Sequence, residues 1–394
     1  MYILFREYYE LFNLHFTKFN IVLFKQIIGQ DFIKEKLITM ANTGRISHTQ
    51  LFVGPEGSGN LALAIAFAQY VNCQNPQPDD SCGVCGSCVK FDKLIHPDLH
   101  FTFPTITPYK QCKELAEDWR EALTKNPYLN NYDWLQTIDS NANKQGNITH
   151  EECRDIINRL SLTSYEAKFK TQIIWQAEYL NLSGNILLKL LEEPPLGTLI
   201  ILVAHNTEKV LATILSRAQT IKVPKLSDHD IEESLQKHHQ CLPQKSIDIA
   251  RLADGDYNLA MSLLEVEHDG YFETFSSWMR FCFSGKVDEL QKWVDDMAGN
   301  GREYVKNFLG YTTQMIRAAF LYKYGDPKLI RVNEQELQFL VKFSSFLHAN
   351  NLGEIIKSLD EAVISAERNA NLKILFLNLS LYIGRQLKSA QKAA

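Results

Sequence analysis

The chain reads as an α/β domain built on a parallel sheet and followed by all-helical domains, and three observations carry that reading. Across residues 24–222, short apolar runs alternate with helical patterns. A glycine-rich turn follows the first clear run directly. Beyond Val223-Pro224 the strand signal stops and helix-period segments take over, which sets a boundary near 223.

The clearest strands are expected at Gln50 to Val53, Gln172 to Trp175 and Leu199 to Val203, each a compact apolar run of the kind buried in parallel sheets. Helical patterns follow at Ala62 to Tyr70 and at Cys153 to Leu160. In the C-terminal part, Val305, Phe308, Leu309, Thr312, Met315, Ile316, Ala319 and Phe320 recur at three- and four-residue spacing, the stripe of a packed helix. Segments Ile355 to Ala366 and Leu372 to Leu387 behave alike, and the second is apolar nearly all round, which predicts burial between neighbours. Gly299-Asn300-Gly301 marks a turn between a middle and a last helical domain. At 394 residues the chain is too long for one ordinary core. The expected organisation is an extension at 1–23, an α/β domain at 24–222, and helical domains at 223–298 and 299–394.

The turn after the first strand runs Gly54-Pro55-Glu56-Gly57-Ser58-Gly59-Asn60-Leu61, with the G-x-x-x-x-G spacing of a phosphate-binding loop between a strand and a helix. In a working loop, backbone amides such as those at Gly54, Gly57 and Gly59 cradle phosphates, a lysine follows the last glycine and a hydroxyl holds magnesium. Asn60 and Leu61 stand at those two places. Asparagine supplies no cation and leucine no magnesium ligand, so hydrolysis by this loop is not expected, and ATP is expected to bind weakly or not at all.

Of eight cysteines, Cys73, Cys82, Cys85 and Cys88 fall within sixteen residues. The two-residue gaps let neighbouring thiolates converge on one tetrahedral ion, and four ligands leave no open position for catalysis, so a structural zinc at 73–88 is expected. His96 lies beyond a site already full and is read as a turn residue.

A net charge of -5 argues against gripping DNA by bulk electrostatics and favours protein partners. With 45% hydrophobic and 22% charged residues the composition is that of a globular protein. The run Leu372 to Ile383 is too short for a bilayer span, and Glu7 and Glu10 interrupt any signal-peptide core, so a cytoplasmic location without membrane contact is expected.

Taken in order, Phe24-Lys25-Gln26-Ile27-Ile28-Gly29-Gln30, Ser47 through Pro55, Leu188-Lys189-Leu190-Leu191-Glu192-Glu193-Pro194-Pro195 and Thr213-Ile214-Leu215-Ser216-Arg217 resemble the bacterial clamp-loader AAA+ family, and within it the delta-prime branch. The resemblance covers roughly residues 24–270 by motif. It implies an AAA+ P-loop sheet domain with an inserted zinc module, a helical lid at 223–298 and a helical collar at 299–394. It also implies a non-hydrolysing scaffold that sits with gamma/tau ATPase subunits and a delta subunit in a hetero-pentamer and helps load a sliding clamp on primed DNA.

Where active members carry an aspartate and a glutamate after the second catalytic strand, this chain has Trp175 and Gln176. Without them nothing anchors magnesium or polarises water. Glu178, two residues on, is read as a surface residue rather than a rescuing base. Asn258 stands where the lid of active members places a phosphate-sensing arginine, and Asn206 resembles the family's polar sensor. Arg217 is kept, although Ala218 departs from the family string. The resemblance implies that Arg217 completes a neighbour's ATP site, a role that suits a planar, permanently charged fork. Two other readings compete: an ATP-binding gamma/tau-like ATPase subunit, and a zinc-dependent nucleic-acid-binding protein. Residues 99–145 are longer than the family needs at that place, and two tasks stand open for them: covering the remnant of the nucleotide site, or contacting a partner.

Overall fold

A computed structural model describes residues 23–109, 111–139, 146–265, 270–300, 302–326, 330, 332–367 and 370–391. The extension expected at 1–23 lies outside the described residues except for Leu23. The chain divides into two compact units between Ser262 and Leu263.

In the first unit, β1 (Thr49–Val53), β2 (Leu99–Thr102), β3 (Lys170–Trp175), β4 (Thr198–Ala204) and β5 (Gln219–Lys222) form one sheet in the order β2-β3-β4-β1-β5. All four pairings are parallel, with Leu51 opposite Leu202 and Thr220. The three expected strands are present as β1, β3 and β4. Because β1 lies inside the sheet between β4 and β5, its following loop emerges at the carboxyl edge, where open α/β sheets bind ligands. Alternate residues feed two cores: Phe52, Ile173, Trp175, Ile201 and Val203 on one face, and Leu51, Ile174, Ile200, Leu202 and Ala204 on the other. A sheet covered on both faces requires unbroken apolar runs, which is why these strands stand out in the sequence.

The α-helices of seven or more residues in this region, up to β5, are α1 (Asp31–Asn42), α2 (Asn60–Asn72), α3 (Gly86–Asp92), α4 (Ala116–Lys125), α5 (Asn131–Ile138) and α6 (His150–Ser161). Helix α2 is buried along its whole length, with alanines at 62, 64, 66 and 68 permitting close approach to the sheet. The segment 99–145 is not one insert: its first four residues are β2, and α4 and α5 come from the rest. These two helices pack by aromatic contacts. The Trp119 ring lies 4.3 Å from Phe103, 4.9 Å from Trp134 and 5.0 Å from Trp175. Helices α7 (Asp228–His239), α8 (Pro243–Ala253) and α9 (Tyr257–Glu265) follow β5. Ser227 and Asp230 form a capping box that starts α7. Among the described residues, none beyond Lys222 lies in a strand.

The second unit holds α10 (Tyr271–Ser284), α11 (Val287–Gly299), α12 (Arg302–Tyr324), α13 (Glu334–Phe343), α14 (Ala349–Glu367) and α15 (Leu372–Gln391). The division at 262/263 assigns α10 and α11, expected in the domain ending at 298, to this unit. The reason is packing on α15: Phe376 lies 5.8 Å from Trp278 and 5.5 Å from Trp293. Gly384 lets α10 approach, since a Cβ there would stand 2.4 Å from the Cys282 carbonyl oxygen. Helix α15 is not enclosed as expected, because Ile374, Leu377 and Leu381 are 68%, 42% and 52% exposed on one stripe. Among the described residues, no helix is long and apolar enough to cross a membrane.

Trp278 is fully buried, stacks on Trp293 at 5.0 Å and donates its indole N–H to Ser380 Oγ at 2.7 Å. Trp278→Ala is expected to destabilise the second unit by about 3–5 kcal/mol, the usual result of emptying an aromatic site, as read by urea denaturation.

Candidate nucleotide site and cysteine centre

The phosphate loop hangs from β1 and is tied to β4 by the Gly54 amide, which donates to the Ala204 carbonyl at 3.2 Å. Gly57 and Gly59 have φ of +65° and +87°, a region glycine enters without steric cost, and Gly59 directly precedes α2. Asn60 turns its short side chain back onto the loop. Its Nδ2 donates to the carbonyls of Gly54 and Ala204 at 3.2 and 3.3 Å, and its Oδ1 accepts from the Leu61 amide at 2.9 Å. Leu61 is 2% exposed and belongs to the core beside β1.

At the end of β3, Trp175 is 1% exposed among Trp119 and its neighbours. A carboxylate at this place would be buried among aromatic rings, at a cost of several kcal/mol. Gln176 adopts a left-handed backbone, φ 58° and ψ 56°, and its amide Nε2 meets His205 Nε2 at 2.8 Å. His205 Nδ1 lies 3.2 Å from the Gly54 carbonyl oxygen. A carbonyl only accepts, so this contact puts a proton on Nδ1, with the Gln176 amide against the other ring nitrogen. His205 thus joins the two would-be catalytic segments, a part that its sequence context did not signal.

Glu178 is not a plain surface residue. One carboxylate oxygen accepts from the amides of His205 and Asn206, which holds the turn after β4. Asn206 Oδ1 in turn accepts from the Glu208 amide at 2.8 Å. Both carry local structure.

Helix α9 meets the loop. The Tyr257 amide donates to the Gly57 carbonyl at 3.2 Å, and Asp256 caps the helix by accepting from the Leu259 amide at 3.0 Å. The Asp256 carboxylate lies against Gly57 so closely that a Cβ there would stand 1.8 Å from its Oδ1. Asn258 donates to Asp133 Oδ2 at 2.6 Å and accepts from Asn126 Nδ2. Tyr128 closes the other flank: its hydroxyl accepts from the Ile28 amide at 2.9 Å, and its ring would touch a Cβ on Gly59 at 3.0 Å. Burial pushes the Tyr128 phenol well above its usual range. Gln30 ties the opening box to the loop by donating to the carbonyls of Ser58 and Pro224 at 3.0 and 2.6 Å.

The four cysteine Sγ atoms all lie within 4.8 Å of one another. Cys73 to Cys82, Cys73 to Cys88 and Cys82 to Cys88 measure 3.6, 3.5 and 3.9 Å. Sulfurs about 2.3 Å from a tetrahedral zinc would stand about 3.8 Å apart, so the geometry suits one such ion. The amides of Cys82, Cys85 and Cys88 point at sulfurs of Cys73, Cys82 and Cys85 at 3.3 to 3.4 Å. The Val84 amide, with smaller aid from neighbours, draws the Cys82 thiol down to about 6, while burial pushes Cys73 and Cys88 up. Asp80, inside the module, accepts from the amides of Phe24 and Lys25 at 3.0 and 3.1 Å and so anchors the opening box. His96 opens a turn, its carbonyl accepting from the Leu99 amide at 3.0 Å, and it is buried there: its Nδ1 accepts from the Asp98 amide at 3.1 Å and its ring packs 4.7 Å from Phe91.

Arg217 pairs with its own chain. Its Nε donates to Glu192 Oε1 at 2.6 Å, and Nη1 donates to the Thr213 carbonyl at 2.7 Å and to Ser216 Oγ at 3.1 Å. Glu192 is 48% exposed at its side chain, and a solvated pair of this kind holds by only about 0–1 kcal/mol.

The expected outcome of Trp175→Asp is a loss of about 3–5 kcal/mol, because an unpaired carboxyl would replace an indole at the centre of the aromatic core. Guanidinium melts followed by tryptophan fluorescence measure it, and a variant as stable as the parent would contradict this account of the β3 end.

The family described as DNA polymerase III, delta subunit, matches residues 29–227. Among curated proteins, the chain is similar to DNA polymerase III subunit tau of Salmonella typhimurium, 25% identical over 248 residues that make up 61% of this chain and 32% of that protein. The tau subunit of Bacillus subtilis matches at 25% identity over 61% of this chain and 37% of its own length. The gamma subunit of Buchnera aphidicola from Acyrthosiphon pisum matches at 27% over 61% and 58%. The matched stretch is thus about a third of the length of the tau relatives. With its sheet order, its loop and half of its length matched, the chain belongs to the DNA polymerase III delta-subunit family of AAA+ clamp-loader proteins.

Proposed function

We propose that this chain is a delta-prime-type subunit, a scaffold that hydrolyses no ATP itself. It joins gamma/tau ATPase subunits and a delta subunit in a hetero-pentamer, lends Arg217 to a neighbour's ATP site and so helps load the sliding clamp on primed DNA. Residues 223–262 serve as the lid, and the second unit serves as the collar. The observation that carries this reading is the state of the phosphate loop. Asn60 is folded onto loop carbonyls, Trp175 is buried, and Asp256 places negative charge against Gly57. A terminal phosphate arriving there would meet Asn60 in place of the lysine and Leu61 in place of the magnesium ligand, and phosphoryl transfer depends almost entirely on such charge stabilisation.

The Glu192 pair supports the trans role of Arg217, since a weak solvated bridge orients the guanidinium without binding it tightly. A γ-phosphate with more charge would outcompete one carboxylate. The tau and gamma names of the relatives favour a second reading, an ATPase subunit in its own right. Steady-state ATPase of the isolated chain separates the two, because the scaffold reading requires no turnover above background.

Arg217→Ala is expected to slow clamp- and DNA-stimulated ATPase of the reconstituted loader while gel filtration still finds the full complex. At the affected site the loss should be about 10³-fold or more. An undiminished rate would remove the arginine from the mechanism.

The soft, closed donor set of Cys73, Cys82, Cys85 and Cys88 fits structural zinc, which would contribute to folding directly. Cys85→Ser is expected to lower zinc retention and loosen both the module and the Phe24 segment anchored on Asp80. Elemental analysis of protein purified without chelator measures the first effect and limited proteolysis the second. One zinc per chain is expected, and none would end the assignment.

A further inference from the structure

Helices α4 and α5 take no part in the chemistry above, yet the loop between them reaches the phosphate loop and α9 together. Asn126 Oδ1 accepts from the Tyr128 amide at 2.9 Å, which sets its Nδ2 to donate to Asn258. Asn130 Oδ1 accepts from the Asp133 amide at 2.9 Å, which starts α5 and presents the Asp133 carboxylate to Asn258. The Tyr128 ring packs 4.9 Å from Tyr257, with the two side chains 3% and 1% exposed. Lifting α9 away would expose both rings and break a satisfied polar cluster that is largely out of water.

These contacts gather at the glycines of the loop, with the Tyr128 ring 3.0 Å from a Cβ on Gly59 and the Asp256 carboxylate against Gly57. A bound nucleotide joins such parts only in proportion to its concentration, whereas a segment of the same chain is always present at high effective concentration.

We propose that residues 126–133 form a strap that holds α9 shut on the phosphate loop, filling the nucleotide's volume and replacing its bridging role, so that lid closure is independent of ATP. This deepens the scaffold reading and rests on it, since a working ATPase would need the space the strap takes. Asp256 reinforces the exclusion by setting a carboxylate against Gly57, where it repels a polyphosphate.

The test is amide hydrogen exchange in the peptide covering 256–265, measured on the full chain. Asn258→Asp sets a second carboxylate against Asp133 and is expected to speed exchange roughly tenfold or more. Asp133→Asn alone keeps an acceptor for Asn258 and should change exchange by no more than about threefold. The double variant Asn258→Asp with Asp133→Asn exchanges donor and acceptor, and should return to within about threefold of the parent. If Asn258→Asp does not fold, a folded double variant supports the strap and an equally unfolded one overturns it. Parent-like exchange in Asn258→Asp, or a double variant as fast as the single, also overturns it. ATP hydrolysis by the isolated parent chain would instead sink the scaffold reading, so the two failures are distinguishable.

Discussion

The burial of one indole governs the head of the sheet. Trp175 ends β3 opposite Val203 of β4, the strand that separates it from β1, at the edge where a parallel sheet receives its ligand. An aromatic ring there gains by contact with other rings, each such pair adding about 0.5–1.5 kcal/mol beyond simple burial. Trp119 supplies that partner and packs in turn on Phe103 and Trp134, so α4 and α5 belong to the core rather than to a detachable insert. Once these helices are fixed, the loop between them has one direction to go, and it meets Tyr257 and Gly59.

The electrostatics of the site follow the same logic. A phosphate site gathers amides and cations, and here the loop's amides remain while Asn60 stands in the place of the lysine. Asn60 is neutral and donates to carbonyls, the His205 ring links Gln176 to the Gly54 carbonyl, and the Asp256 carboxylate lies against Gly57. The permanently charged Arg217 pairs with Glu192. The loop thus keeps the glycine geometry of a phosphate loop, with Asn60 and Leu61 at the places of its lysine and its hydroxyl. The cysteine module contributes at a different point, fixing the start of the domain through Asp80 rather than touching the loop's chemistry.

Much of this was legible in the order of residues. Strands β1, β3 and β4 are runs of mostly apolar side chains because both their faces are covered, and a solvated strand would alternate with polar residues instead. Strand β5, Gln219–Lys222, buries only Ile221, and β2 is four residues long, so neither leaves a comparable trace. Helix α15 misled for a related reason: its apolar residues outnumber the neighbours available to cover them, which leaves Ile374, Leu377 and Leu381 in contact with solvent. Hydrophobicity states what would gain from burial and not how many partners the fold supplies.

The sequence by itself determined the features written in local spacing: the glycines of the loop, the four converging cysteines, the missing lysine and the missing carboxylates. Such features depend on residues a few positions apart, whose geometry the backbone dictates. Only the tertiary structure decided that Asn258 meets Asp133 across 125 residues, that Ile28 meets Tyr128 across 100, and that His205 reaches back to Gly54 across 151. Single hydrogen bonds contribute too little to mark their partners in a sequence. They form because strand order and aromatic packing have already brought distant segments to the same edge of the sheet.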